Sequence, residues 1–378
     1  MSRGVAQRFV ALDGLRGLAA AVVLFHHCLL TSSLLAEPYR GEAGEKIGDL
    51  PSWVEWVTYS PLHIAWAGRE AVFIFFVLSG FVLTLPFLKE RRPSWLSYYP
   101  RRLLRLYLPV WVAVIFTLGT FVVVDHAIRP ELSWWTVGHS APFDIGRVTK
   151  ELTLVTGIGG YNSPLWSLRW EIIFSLALPA YLWFAARTGR AWWAAAVALM
   201  LLSGYGASLD VESLQMLPMF GVGVLMAMHL RELTDGARRL PSFAWAALVV
   251  LAVLALTFSW WAVSGWLGGT VAVFGAAVAV FLFMGNGAAA AFASTRVVQW
   301  LGARSFSLYL IHVPIVVSVA MALGTDNALL VIPVAVPIAL VGADLFFRLI
   351  ERPSHRLSQA AGHIARRQTD DVREGAAD

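Results

Sequence analysis

The chain has 378 residues, 58% of them hydrophobic and only 14% charged, against roughly a quarter charged in soluble globular domains. That balance excludes a water-soluble single-domain enzyme. The net charge of +5 sits in loops and helix ends and gives no reason to expect a nucleic-acid partner, and a single cysteine excludes an intramolecular disulfide.

Apolar runs of about 18 residues or more recur along the chain and read as membrane helices. The first, about 9–30, follows Arg3 and Arg8. Asp13 and Arg16 interrupt it and no Ala-x-Ala site follows, so it reads as a retained anchor. A polar stretch over 31–62 carries Glu37, Glu42, Glu45, Asp49 and Glu55 with few cations, and is expected outside. The second span, about 66–88, leads into a basic block with Lys89, Arg91, Arg92, Arg101, Arg102 and Arg105. A third span covers about 106–125. In the polar segment 126–163, about 148–157 reads as a short helix at the membrane edge. Further spans cover about 165–186, 191–207, 213–230, 243–262, 266–285, 305–323 and 328–349. The cations between them fall on alternate sides, as orientation by positive charge requires. The expectation is an all-α polytopic bundle of about ten transmembrane helices, both termini cytoplasmic. A transmembrane domain over 1–357 is followed by a polar tail, 358–378, expected to be disordered. No internal repeat relates the halves.

Ionisable residues inside such spans cost about 2.5 kcal/mol or more each and mark a working interior. Arg16 and His27 are separated by ten residues and differ by about 20° in helical phase, with a rise of about 16 Å between them. Asp13 lies about 40° from His27, whereas His26 and Cys28 point about 80° and 120° away from the stripe. One polar face, Asp13–Arg16–His27, is therefore expected to line one cavity at two depths. His27 suits a general base and Arg16 an anionic or planar ligand. Asp13 orients a ring, neutralises Arg16 or complements the helix dipole. Arg101, Arg102 and Arg105 read as a topological block or as a mouth for a cytosolic anion. Glu171, about two turns into its span, needs a cation, either Arg169 or one across the bundle. His312 reads as a structural donor, Glu70 with Arg69 as an exposed or interfacial pair, and Cys28 as a small core residue. Glu351, Arg352 and Arg356 read as an interfacial ion cluster. No metal-ligand cluster is expected.

The order of these residues resembles one family. Leu12-Asp13-Gly14-Leu15-Arg16-Gly17-Leu18 and the Arg16–His27 spacing are similar to the signature of the acyltransferase-3 family, the integral-membrane O-acyltransferases of bacteria. So are Phe75–Phe81, then Tyr99 with Arg101, Arg102 and Arg105, and Trp166-Ser167-Leu168 with Glu171. Ser307–His312 and Glu351-Arg352-Pro353 resemble the closing motifs. Where the family often has two adjacent acids, Ile172 follows Glu171, so a second carboxylate role is missing. The resemblance spans about 8–357 and is to the stand-alone form, so the chain is expected to work without the C-terminal hydrolase-like domain of the long forms.

The resemblance implies transfer of an acyl group, usually acetyl, from cytosolic acyl-CoA to a hydroxyl of a sugar, cell-envelope glycan or glycosylated small molecule. It implies no permanently bound cofactor and a multi-pass location in a bacterial plasma membrane. Arg101, Arg102 and Arg105 would bind the donor. His27, Arg16, Asp13 and Glu171 would form the catalytic set. The rival reading is a transporter or flippase for a glycan or small anion, since buried polar residues also mark substrate pathways.

Overall fold

A computed structural model describes residues 3–374 apart from positions 42, 91, 156 and 158. Glu42, Arg91 and the end of the chain from 375 therefore lie outside the described residues. The protein is an all-α polytopic bundle, with no strand among the described residues. Its longer helices are α1 (Arg3–Leu29), α2 (Gly68–Thr84), α3 (Trp95–Val123), α4 (Ile145–Thr153), α5 (Leu165–Thr188), α6 (Trp192–Ser208) and α7 (Glu212–Met228). They continue with α8 (Leu230–Arg239), α9 (Ser242–Leu256), α10 (Gly265–Gly285), α11 (Arg296–Leu323), α12 (Ala328–Phe346) and α13 (Arg352–Glu374).

Seven described stretches are long and apolar enough to cross a membrane, or eight if the pair α7–α8, bent by 73°, counts as one. The expected ten is reached only by splitting the 44-residue stretch Leu165–Ser208 at the turn Gly189–Ala191 and by admitting the short apolar α9. Two helices start earlier than their apolar runs. Helix α3 begins at Trp95, capped by the Ser94 side chain, which accepts from the Ser97 amide. The basic residues Arg101, Arg102 and Arg105 are thus helical and not in a connecting loop. Helix α11 begins at Arg296. The last helix runs from Arg352 to Glu374 and packs along α3. A π turn over Phe347–Glu351 joins it to α12.

Helix α11 is the most enclosed span, with α1, α12 and α3 packed against it. The contact between α1 and α11 is extensive because small residues let the two backbones meet. A Cβ on Gly17 would strike the backbone of Leu301 and Gly302, and one on Gly302 would strike the Asp13 carbonyl. Ten residues further along each helix, His27 meets His312, so α1 and α11 run parallel and in register. On the opposite flank Gly80 of α2 lies against Phe220 of α7 in the same way.

Because overpacking a close contact costs about 1–3 kcal/mol or more, Gly17→Leu is expected to lower the melting temperature of the purified protein. Gly48→Leu, at a position with nothing within 4 Å of a new Cβ but a φ of +66°, should cost less. Thermal unfolding of both variants in detergent checks the order.

Candidate active site

The site has two parts. At the end of the bundle where α1 begins, a cavity is lined by Arg16, Ser79, Arg102, Arg105, Ser167, Glu171, Ser305 and Tyr309, among apolar walls from Phe75, Phe76 and Phe306. It adjoins a wider opening lined by Asp13, Arg16, Arg105, Glu351, Arg352, His355 and Arg356. A third cleft shares Arg102 and Arg105 and adds Arg101, Tyr98 and His355. Arg105 faces all three. Arg101 and Arg105 differ by about 40° in helical phase, and Arg102 and Arg105 by about 60°, so the early start of α3 turns the basic block toward these cavities.

The charges are not equivalent. Arg102 is tightly paired with Glu171 and also donates to Ser175 Oγ at 3.0 Å, while Ser79 donates to Glu171 Oε1 at 3.1 Å. The cation that Glu171 requires comes from across the bundle. Arg169 lies instead near Glu212 at 3.8 Å. Arg16 and Arg105 make no ion pair within 4.0 Å among the described residues, and neither does Asp13, which therefore does not neutralise Arg16 directly. In the wider opening four arginines face two carboxylates, Asp13 and Glu351. Glu351 is held by Ser307 Oγ at 2.5 Å. The expected interfacial cluster Glu351–Arg352–Arg356 thus belongs to the cavity wall, turned there by the π turn that ends at Glu351. Two unpaired guanidinium groups in a concave, partly enclosed space attract an anion.

The second part lies toward the far end of α1. His27 does not line the cavity that Arg16 lines, so the shared helical face does not become one shared cavity. Instead His27 Nδ1 stands 2.9 Å from the Val23 carbonyl and 3.0 Å from His312 Nε2. The ring of Tyr309 is 5.9 Å from that of His312, and its hydroxyl is 2.7 Å from Ser167 Oγ. Tyr309 and Ser167 both line the cavity. Tyr309 therefore bridges the two parts, its ring against His312 and its hydroxyl on Ser167. Trp135 covers His27, with ring centroids 5.3 Å apart, and His139 packs against Trp135 at 4.5 Å.

His26 faces elsewhere. Its Nδ1 is 2.9 Å from the Trp66 carbonyl, its ring fills the space beside Gly68, and Tyr39 packs against it. This is the edge of an aromatic cluster in which Tyr39 also reaches His63 at 3.2 Å and Trp260 stacks on His63 at 4.2 Å. Glu70 lies beneath that cluster, 1% exposed, and accepts from Trp260 Nε1 at 2.9 Å. The reading of Glu70 as an exposed or interfacial pair with Arg69 is thereby corrected: a tryptophan far along the chain covers it. Cys28 is fully buried, as a small core residue should be. His312, read as a structural donor, is the direct partner of His27. Tyr309 and His312, three residues apart in α11 and so on one helical face, carried a signal that long-range pairing was needed to interpret.

The family model described as an acyltransferase domain, acyltransferase-3, matches residues 9–348. This chain belongs to the acyltransferase-3 family. The family is integral to the membrane, in keeping with the apolar helices. Among curated proteins the chain is similar to acyltransferase MdmB of Streptomyces mycarofaciens, 30% identical over 193 residues. That match covers 50% of this chain and 43% of the relative, so the chain spans less than half of the relative's length. No solved structure matches the chain significantly. In this acyltransferase-3 chain the six motifs converge on the two-part site just described, with Arg101 at its rim.

The cover over His27 is itself pinned by titratable groups. His139 is buried, with Nδ1 2.8 Å from the Trp135 carbonyl and Nε2 2.9 Å from Ser163 Oγ, and burial lowers its pKa to about 4. Glu151 accepts from the amides of Tyr161 and Asn162, and burial raises its carboxyl above the usual range. Because His139 is held neutral when folded, its contribution is present above its unfolded pKa near 6.5 and is lost as pH falls toward 4. Linkage bounds that loss at about 3 kcal/mol. Acidification from pH 7 to pH 5 is expected to lower the melting temperature of the native protein more than that of His139→Gln, measured by thermal unfolding at each pH.

Proposed function

We propose that this protein is a membrane O-acyltransferase that moves an acyl group, acetyl in the simplest case, from cytosolic acyl-CoA to a hydroxyl of a sugar, cell-envelope glycan or glycosylated small molecule. It would work in the plasma membrane of a bacterium, with both termini in the cytosol. One observation carries the reading. Unpaired Arg16 and Arg105 define an anion-attracting cavity whose inner wall, Tyr309 and Ser167, leads to the His27–His312 pair.

The donor is polyanionic at one end and carries its thioester at the end of a thin arm. Arg105, with Arg352 and Arg356 at the wider opening and Arg101 at the rim, would hold the phosphates. The arm would pass Arg16 and the Phe75–Phe306 walls. Glu171 would keep Arg102 neutralised and fixed, shaping the passage. Asp13 would tune the field at the mouth. At the far end His27 would take the proton from the acceptor hydroxyl. The acceptor oxygen would bond to the thioester carbonyl carbon, the carbon–sulfur bond would break, and His27 would return the proton to the leaving thiolate. The products are an ester and a free thiol. Beyond the wall formed by Tyr39 and Trp260, a cleft lined by Trp56, Tyr59, Trp261, Lys46 and Glu55 offers aromatic faces and charged hydrogen-bonding groups of the kind that hold sugar rings. This supports a carbohydrate-bearing acceptor entering from the side opposite the donor.

Acyl transfer from radiolabelled acetyl-CoA, measured in membranes containing the protein, tests the reading. His27→Ala is expected to lower the rate at least 100-fold at equal expression, the low end of what general-base catalysis supplies. Wild-type activity in that variant would overturn the role of His27. Arg105→Gln is expected to raise KM for the acyl donor about tenfold or more, the loss of one charge-assisted contact, with a smaller effect on kcat. An unchanged KM would remove Arg105 from the donor site.

A further inference from the structure

The two histidines of the site fix each other's protons. His312 Nδ1 lies 2.9 Å from the Leu308 carbonyl, which can only accept. Nδ1 of His312 therefore carries the proton, and in the neutral ring Nε2 carries the lone pair. That lone pair faces His27 Nδ1 at 3.0 Å. His27 Nδ1 is also 2.9 Å from the Val23 carbonyl, again an acceptor. A nitrogen between two acceptors must be the donor, so His27 holds its proton on Nδ1, shared between them. The lone pair of neutral His27 is then on Nε2, which has no hydrogen-bond partner among the described residues.

From this geometry we infer that His312 is a positioning residue that locks His27 in the tautomer with Nε2 free, so that Nε2 is the atom that receives the acceptor's proton. When Nε2 takes that proton the ring becomes cationic, and the bond from Nδ1 to the His312 lone pair becomes charge-assisted and stronger. A carboxylate does this for histidine in the familiar acyl-transfer triads. Here a neutral imidazole does it. His312 is 1% exposed and sits on the most enclosed span, so its ring has little freedom to turn away. The inference rests on His27 acting as the base.

Three substitutions at His312 test it. Glutamine places an amide oxygen near the position of Nε2 and accepts without titrating. Asparagine reaches only as far as Nδ1. Leucine accepts nothing. His312→Gln is expected to keep kcat within about tenfold of wild type, whereas His312→Asn and His312→Leu lose about 100-fold, with KM for acyl-CoA unchanged in all three. Combined with His27→Ala, His312→Leu should add no further loss, because it acts through His27. The inference is overturned if glutamine is no better than asparagine, or if the losses at the two histidines multiply. Should leucine fail to yield folded protein, the glutamine–asparagine pair still decides. If His27→Ala is inactive while His312→Asn is normal, the positioning role fails and the base survives. If His27→Ala is fully active, the base reading fails and the positioning role falls with it.

Discussion

The close approach of α1 and α11 is the constraint on which the rest of the site depends. Gly17 and Gly302 remove the side chains that would hold the helices apart, and parallel packing carries the register about 15 Å along, ten residues at 1.5 Å each, to the meeting of His27 and His312. The same contact sets Asp13 and Arg16 against the Gly302–Phe306 stretch that lines the wider opening. A packing feature with no chemistry of its own therefore fixes both the arginine-lined cavity and the histidine pair. In hydrocarbon, where apolar burial does not drive helices together, close van der Waals contact and satisfied polar groups have to do so. The histidine pair is at once a product of that contact and a support for it.

Charge is distributed along this axis by pairing rather than by count. Arg102 and Glu171 form one neutral unit, tied further by Ser79 and Ser175. Removing one member of such a part-buried pair strands the other's charge, so this unit has an architectural part even where it lines the cavity. Arg16 and Arg105 are left with their fields directed into open space. The Arg304–Asp344 pair at 2.5 Å, with Arg348 on the same carboxylate at 2.8 Å, joins α11 to α12 just before the π turn. Glu351 at the end of that turn, and Arg352 and Arg356 beyond it, face the cavity. The C-terminal helix thus completes the mouth.

Much of this was legible in the sequence, for identifiable reasons. A 3.6-residue period in an apolar segment makes Asp13, Arg16 and His27 a face without any knowledge of the fold, and the separation of His27 from His26 follows from the same count. The demand of Glu171 for a cation was readable too. Its choice of Arg102 over Arg169 was not, because the partner lies 69 positions away in the chain. Helix starts were misplaced where charged residues continue the helix beyond its apolar run, at Trp95 and Arg296. Glu70 was misread for a related reason. Beside Arg69 near a helix terminus it has every local mark of an exposed residue, and only Trp260 arriving from the other half of the chain buries it. The shared cavity expected for Arg16 and His27 failed because helical phase gives direction and says nothing of what fills the space between. Tyr309 and His312 occupy that space.

The use of a histidine rather than a carboxylate beside His27 has a physical logic in this setting. An aspartate would orient the ring as well and would stabilise the imidazolium more strongly. It would also place a formal negative charge in the bundle between turnovers, where isolated charge is expensive and a carboxyl would tend to take up a proton instead. The His27–His312 pair is neutral at rest, each ring satisfied by a carbonyl of its own helix one turn back. In the reaction proposed above, positive charge would arise only when the acceptor's proton arrived, as negative charge developed on the thioester oxygen, so the two charges would appear together and offset each other. By contrast the arginine-lined end, the proposed site of a polyanionic donor, carries permanent cations. The site thus divides permanent charge, at the open end where water can screen it, from transient charge, at the enclosed end where it is strongest.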